Sequence, residues 1–186
     1  MGDPKKQRKK YATPRHPWRR DQLDVELRLM GEYGLRNKRE LWRYKTMLSE
    51  MRGIARSLLA KSGTEREKSE RDFLSRLKRM GLAGETASID DTLDLDIRDL
   101  LERRLQTVVF RGGLAGSPSQ ARQLISHGHI AIGGHVVSVP GYLVAKADQE
   151  RVSYASESPL TKSQHPARQS LKGQPAEPVS PAPSSQ

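Results

Sequence analysis

The sequence predicts an α+β protein in four parts. These are a basic extended arm over residues 1–20, a small helical domain over 21–89, two short helices packed on a small twisted β-sheet over 90–154, and a disordered tail over 155–186. Three observations predict it. Apolar residues recur every three or four positions through residues 21–80 and again through 97–125, the helical period. From Gly128 onward, short runs with extended character are separated by glycine and proline. The ends differ in composition from the middle: residues 1–20 carry 8 Lys/Arg against one Asp, and 17 of the 32 residues in 155–186 are Ser, Pro or Gln.

The arm cannot be helical, because Pro4, Pro14 and Pro17 interrupt it. Its Lys5, Lys6, Arg8, Lys9, Lys10, Arg15 and Arg19 would displace counterions from a phosphate backbone, and Trp18 could stack on a base. A merely solvated tail is the plain alternative. Asp21 is placed to cap a first helix with Leu23, Leu27 and Met30 on its inner side, ending near Gly31 or Gly34. Asn37 caps a second, with Glu40 three residues on in the capping-box spacing. Leu41, Tyr44, Leu48, Met51, Ala55 and Leu58 form its buried stripe, opposite Lys38, Arg39, Lys45, Arg52 and Arg56. Thr64 and Glu67 repeat the capping spacing ahead of a third helix carrying Phe73, Leu74 and Leu77, stopped at Gly81.

Residues 84–96, GETASIDDTLDLD, read as an acidic linker. One helix is then predicted from Ile97 to Val109, with Leu101, Leu105, Val108 and Val109 inward and Arg104, Thr107 and Arg111 on another face. Ser117 is an N-cap, Pro118 suits the first helical turn, and Gly128 ends the helix in a left-handed cap. Ala121, Leu124 and Ile125 face inward, while Ser119, Arg122, Gln123 and Ser126 share the polar side. The run HIAI alternates like a strand, Gly133-Gly134 signals a primed hairpin turn, and HVVSV returns. Residues 142–154 supply further extended segments around a polar turn at Asp148-Gln149. The tail is too poor in large apolar residues to offset its ordering entropy.

The net charge of +11 and the isoelectric point near 10.1 call for an acidic partner. The chain has no cysteine, so a disulfide framework, a thiol nucleophile and a Cys-ligated zinc are excluded. No apolar run approaches the ~20 residues that span a bilayer, and the basic start has no apolar stretch behind it. Lys6 stands where myristoylation requires Ser or Thr. A soluble intracellular protein is expected. Residues 90–154 have 7 Lys/Arg against 8 Asp/Glu, but the acids are clustered at either end. From Arg103 to Ala147 there is no Asp or Glu, so the potential around SPSQARQLISHGHIAIGGH should be positive. The N-terminus of the helix after Ser117 would reinforce it toward a phosphate.

ARQLISHGHIAI, followed by a glycine turn and two valines, resembles the S-four RNA-binding module. QRKKYATPRHPW and EYGLRNKRELWR are similar to the archaeal and eukaryotic form of the ribosomal small-subunit protein S-four family, and the resemblance covers residues 1–154. It implies that two helices of the module face RNA, supported by the sheet. The matching positions are Arg103, Arg104, Arg111, Ser119, Gln120, Arg122, Gln123, His127 and His129, with Val136 at the edge. The arm and helical domain, including Arg39 and Arg43, would also contact small-subunit rRNA, at a multi-helix junction. The resemblance further implies an early role in assembly of the subunit body. It implies a place beside ribosomal protein S-five near the mRNA entry path, bearing on decoding accuracy, in the cytoplasm. The cysteine zinc site of some bacterial relatives is absent.

Other chemistries fit less well. His127, His129 and His135 lack a carboxylate or thiolate to complete a metal set. Ser117, Ser126 and Asp148 with a histidine lack a nucleophile elbow, and the glycines match no phosphate-loop pattern. An RNA-modifying enzyme that borrows the same module, such as a pseudouridine synthase, would need a catalytic domain for which these flanks leave no room. A helix-turn-helix DNA regulator is disfavoured by the strand-rich segment after His129. No cofactor, catalytic residue, membrane or small-molecule substrate is expected.

Overall fold

The computed structural model describes residues 9–84 and 86–161. Arm residues Lys5, Lys6 and Arg8 and tail residues 162–186 lie outside them. The fold is α+β. Helices α1 (Arg20–Glu32), α2 (Lys38–Leu59) and α3 (Thr64–Met80) come first. Short helices α4 (Ile89–Asp94), α5 (Ile97–Glu102) and α6 (Leu105–Arg111) follow, then α7 (Pro118–Ser126). Strands β1 (Ile130–Ile132), β2 (His135–Val136) and β3 (Val152–Tyr154) make an antiparallel sheet in the order β2-β1-β3.

The predicted stripe of α2 is buried at all six positions, and Asn37 Oδ1 accepts from the Glu40 amide at 3.1 Å. Only that half of the expected capping box forms, because the Glu40 carboxylate is engaged elsewhere. In α1, Arg19 rather than Asp21 occupies the cap position, and Leu27 is exposed. The inner face centres on Leu29 and on a buried acid, Glu26, which accepts from Lys45 at 2.7 Å and from the Trp42 indole at 3.1 Å. Helix α3 begins at Thr64, one residue earlier than a Thr64 cap predicts, with Gly63 at the cap position, and ends as expected at Gly81 with φ +71°.

Residues 84–96 are not simply a linker. Ser88 and Asp91 form a capping box, and α4 packs Ile89 into the core. The acid count concealed this, since Asp90, Asp91 and Asp94 are exposed while Ile89 and Thr92 are buried where α4 packs on α2. The helix predicted over 97–109 is broken at Arg103-Arg104. Arg104 pairs there with Leu143 in a β-bridge, and the Leu105 amide bonds to the Tyr142 carbonyl at 2.8 Å, so the backbone leaves the helix to meet a distant segment.

Two core clusters result. One joins α1 to α5, from Leu29 to Leu101. The other is built from Leu105, Val109, Ala115, Ala121, Ile125, Ile130 and Val144. Gly133 and Gly134 have φ of +56° and +87°, the double positive φ of a primed turn. The sheet is smaller than predicted: HVVSV contributes only His135 and Val136, and Ile130 and Ala131 are both buried instead of alternating. Part of 142–154 is a 3₁₀ turn, Lys146–Arg151. The start of the predicted tail is packed: the Ala155 amide bonds to the His129 carbonyl at 2.9 Å, and Leu160 is buried.

Candidate nucleic-acid interface

The contact between the module after residue 103 and the helical lobe centres on one carboxylate. Glu40 Oε2 accepts from Arg104 Nη2 at 2.6 Å, and Glu40 Oε1 accepts from Arg122 Nη2 at 2.6 Å. Arg104 also donates through Nε to the Pro140 carbonyl at 3.2 Å and lies over the Tyr44 ring, 5.8 Å from its centre. Burial alone would raise the Glu40 pKa, but the hydrogen bonds from Arg122 and Arg104 outweigh it and hold the carboxyl below its ordinary 4.5.

Around this group the two lobes are tied by polar bonds. Gln106 donates to the carbonyls of Gly34 and Pro118, both at 2.9 Å. The Tyr44 hydroxyl donates to the Gly141 carbonyl at 3.0 Å. The turn at Gly34 comes so close that a Cβ built there would lie 2.5 Å from Pro118 Cβ. The N-terminal end of α7 is therefore closed on one side by the α1–α2 turn. It is capped locally by Ser117 Oγ, which accepts from the Gln120 amide at 3.1 Å.

This geometry sorts the predicted RNA contacts. Arg104 is a correction: its side chain is 1% exposed and committed to Glu40 and Pro140, so it presents no surface to a phosphate. Thr107, predicted on the same outer face, is also buried. Arg122 is 24% exposed on its side chain and held by Glu40. Arg103 donates to Gln149 at 2.7 Å and packs its guanidinium against Gly81, tying α3 to the 3₁₀ turn. Gln120 accepts from the Gly116 amide at 2.7 Å, which orders the loop before α7. Arg111 is exposed and paired with Glu102.

Ser119, Gln123 and His127 are exposed along α7 and its end, and Val136 is exposed on the hairpin. The rings of His127 and His129 stack with centres 6.3 Å apart, and His129 Nδ1 lies 3.0 Å from Ser158 Oγ. On the helical lobe Arg39 and Arg43 are exposed, as are Lys9, Lys10, Arg15 and Arg19 in the arm. The arm is not free along its length: the Tyr11 ring lies 6.0 Å from that of Trp42, and the Ala12 amide donates to Thr46 Oγ1 at 2.9 Å. Trp18 is 86% exposed. Among the described residues, no cluster of His, Asp and Glu could hold a metal ion, and no helix is long and apolar enough to cross a membrane.

Sequence reasoning missed Glu40, Gln106 and Tyr44 as the residues that set the geometry of this surface. Gln106, a lone amide in the run LQTVVF, was the available signal, because a polar group at a core position needs partners.

A small sheet backing two short helices, with an acid-free segment running across them, defines a nucleic-acid-binding module. The S4 domain family matches residues 103–149. Over 162 residues the chain is 54% identical to small ribosomal subunit protein uS4 of Ignicoccus hospitalis, covering 87% of this chain and 98% of that protein. It is 52% identical over 162 residues to the uS4 protein of Hyperthermus butylicus, 87% of this chain and 92% of the relative. With that of Picrophilus torridus the identity is 46% over 176 residues, 93% and 96% of the two chains. The chain belongs to the small ribosomal subunit protein uS4 family, a family of structural proteins and not of enzymes.

Proposed function

We propose that this protein is a structural constituent of the small ribosomal subunit in the cytoplasm and binds small-subunit rRNA directly at a multi-helix junction. It helps nucleate assembly of the subunit body. With ribosomal protein S-five, near the mRNA entry path, it contributes to translational accuracy. The observation that carries the reading is the acid-free segment from Arg103 to Ala147, whose flanking acids are displaced onto α4, α5 and the 3₁₀ turn after Ala145. The RNA surface of the module comprises Arg111, Ser119, Gln123, His127 and His129, with Arg103, Gln120 and Arg122 placing it and Val136 at its edge. Arg39, Arg43 and the basic arm, with Lys5, Lys6, Arg8 and Trp18, add phosphate and base contacts. Similarity to uS4 proteins over most of the chain supports this reading.

The experiment is sedimentation of tagged protein with crosslink mapping. Comigration with small subunits and crosslinks from α7 to rRNA are expected. A protein that stays at the top of the gradient, or that crosslinks only to other RNA, would overturn the proposal.

A further inference from the structure

Between α2 and the turn over residues 139–143 lies an open cleft of about 350 Å³. This is at the small end of the range of about 300–1,000 Å³ typical of ligand sites. Its floor is cross-bonded. Arg104 and Glu40 are bonded to each other there, and Tyr44 is bonded to Gly141. Its charge is cationic, because Arg43, Arg104 and Arg122 line it together with a single acid. Both oxygens of that acid are occupied by Arg104 and Arg122, so it offers little to an incoming cation. Arg43 is exposed and enters no ion pair among the described residues. The facing turn is apolar: Leu143 and Val139 line the cleft from it, Val139 58% exposed, and Met47 adds to the apolar lining from α2, one turn after Arg43.

An apolar helix would leave Arg43 without a use, and a free anion would leave Val139 and Leu143 without one. A duplex is too large for a cleft of about 350 Å³. A ligand with one negative charge beside one flat, largely apolar ring satisfies both walls, and an unpaired nucleotide has that chemistry. We propose that this cleft receives a single unpaired nucleotide of an RNA strand, its phosphate at Arg43 and the open edge of Arg122, its base against Val139 and Leu143. The site rests on the rRNA-binding function proposed above. It makes the joint between the lobes a contact point as well as a structural tie.

The test uses the full chain with a small-subunit rRNA transcript, reading affinity by filter binding and protection by nucleotide-resolved chemical probing. Val139→Glu and Arg43→Ala alter exposed positions, so both should fold, which circular dichroism checks. Each should weaken binding about fivefold or more and restore reactivity at one nucleotide while the other protections persist. Wild-type affinity and an unchanged footprint in both folded variants would overturn the cleft and leave the broader function standing. A wild-type chain that does not bind the transcript would overturn both. Amide shifts at Gly141 and Leu143 with hexaglutamate but not with hexauridylate would also overturn the proposal, by making the occupant an acidic peptide.

Discussion

Glu40 carries more of this molecule than its place near a helix start suggests. It neutralises a guanidinium that is 1% exposed, and removing one partner of a buried pair leaves the other charge uncompensated. Glu40→Ala should cost about 3 kcal/mol or more in denaturant unfolding at pH 7. A loss below about 1 kcal/mol would show that Arg104 finds other partners. The carboxyl is held below 4.5 in the folded protein, so its contribution is complete above the unfolded pKa and disappears as pH falls through the folded one. Glu26 behaves likewise, since burial would raise it but hydrogen bonds from Lys45 and Trp42 lower it. Stability should therefore decline as pH drops below about 4.5, with a shallower decline in Glu40→Ala than in the wild type. Equal slopes in urea titrations across that window would sink the assignment. Gly34 is the second position where one atom decides. Its φ is +58°, and an added Cβ would meet Pro118 at 2.5 Å. Strain and overpacking each cost about 1–3 kcal/mol. Gly34→Ala should lower thermal stability measurably, whereas Gly31→Ala, which meets nothing within 4 Å, should not.

Elements whose limits are set locally were legible in the sequence. Asn37, Ser117, Gly81 and Gly128 stop or start helices through their own side chains or their own φ, and Gly133-Gly134 turns the hairpin the same way. Elements set by distant partners were not. The break between α5 and α6 exists because Leu143 and Tyr142 bond to Arg104 and Leu105, some 38 positions away in the chain, and no window around residue 103 contains that cause. Arg104 was misplaced for the same reason, since a helix continuing to Val109 would have turned it outward. The segment after Tyr154 follows this pattern. Its composition argues for disorder, yet Ala155, Ser158 and Leu160 are buried beside the sheet, and the Ala155 amide extends the pairing to His129. A chain ending at Thr161 should accordingly be more stable than one ending at Tyr154, by roughly 1–3 kcal/mol for the burial of Leu160. Identical unfolding midpoints would show that this segment contributes nothing.

At the scale of the whole molecule, the fold and the proposed RNA contacts draw on different arginines. Arg43 is exposed and outside any ion pair among the described residues, while Arg122 shares Glu40 with Arg104. A phosphate at Arg43 releases counterions without disturbing a tertiary bond. A phosphate at Arg122 must compete with two hydrogen bonds to Glu40, at 2.6 and 3.2 Å. Each phosphate contact contributes up to about 0.9 to the slope of log affinity against log salt on duplex nucleic acid, and about 0.7 on single strands. Arg43→Ala should reduce that slope by nearly one contact and leave the unfolding midpoint unchanged. Arg122→Ala should do the reverse, lowering the midpoint by freeing Glu40 while moving the slope by much less. The two measurements on two variants form a crossed design. If Arg122→Ala lowers the slope as far as Arg43→Ala does and spares stability, the pairing with Glu40 yields when RNA binds, and Arg122 takes a full share of the phosphate instead of offering only its open edge.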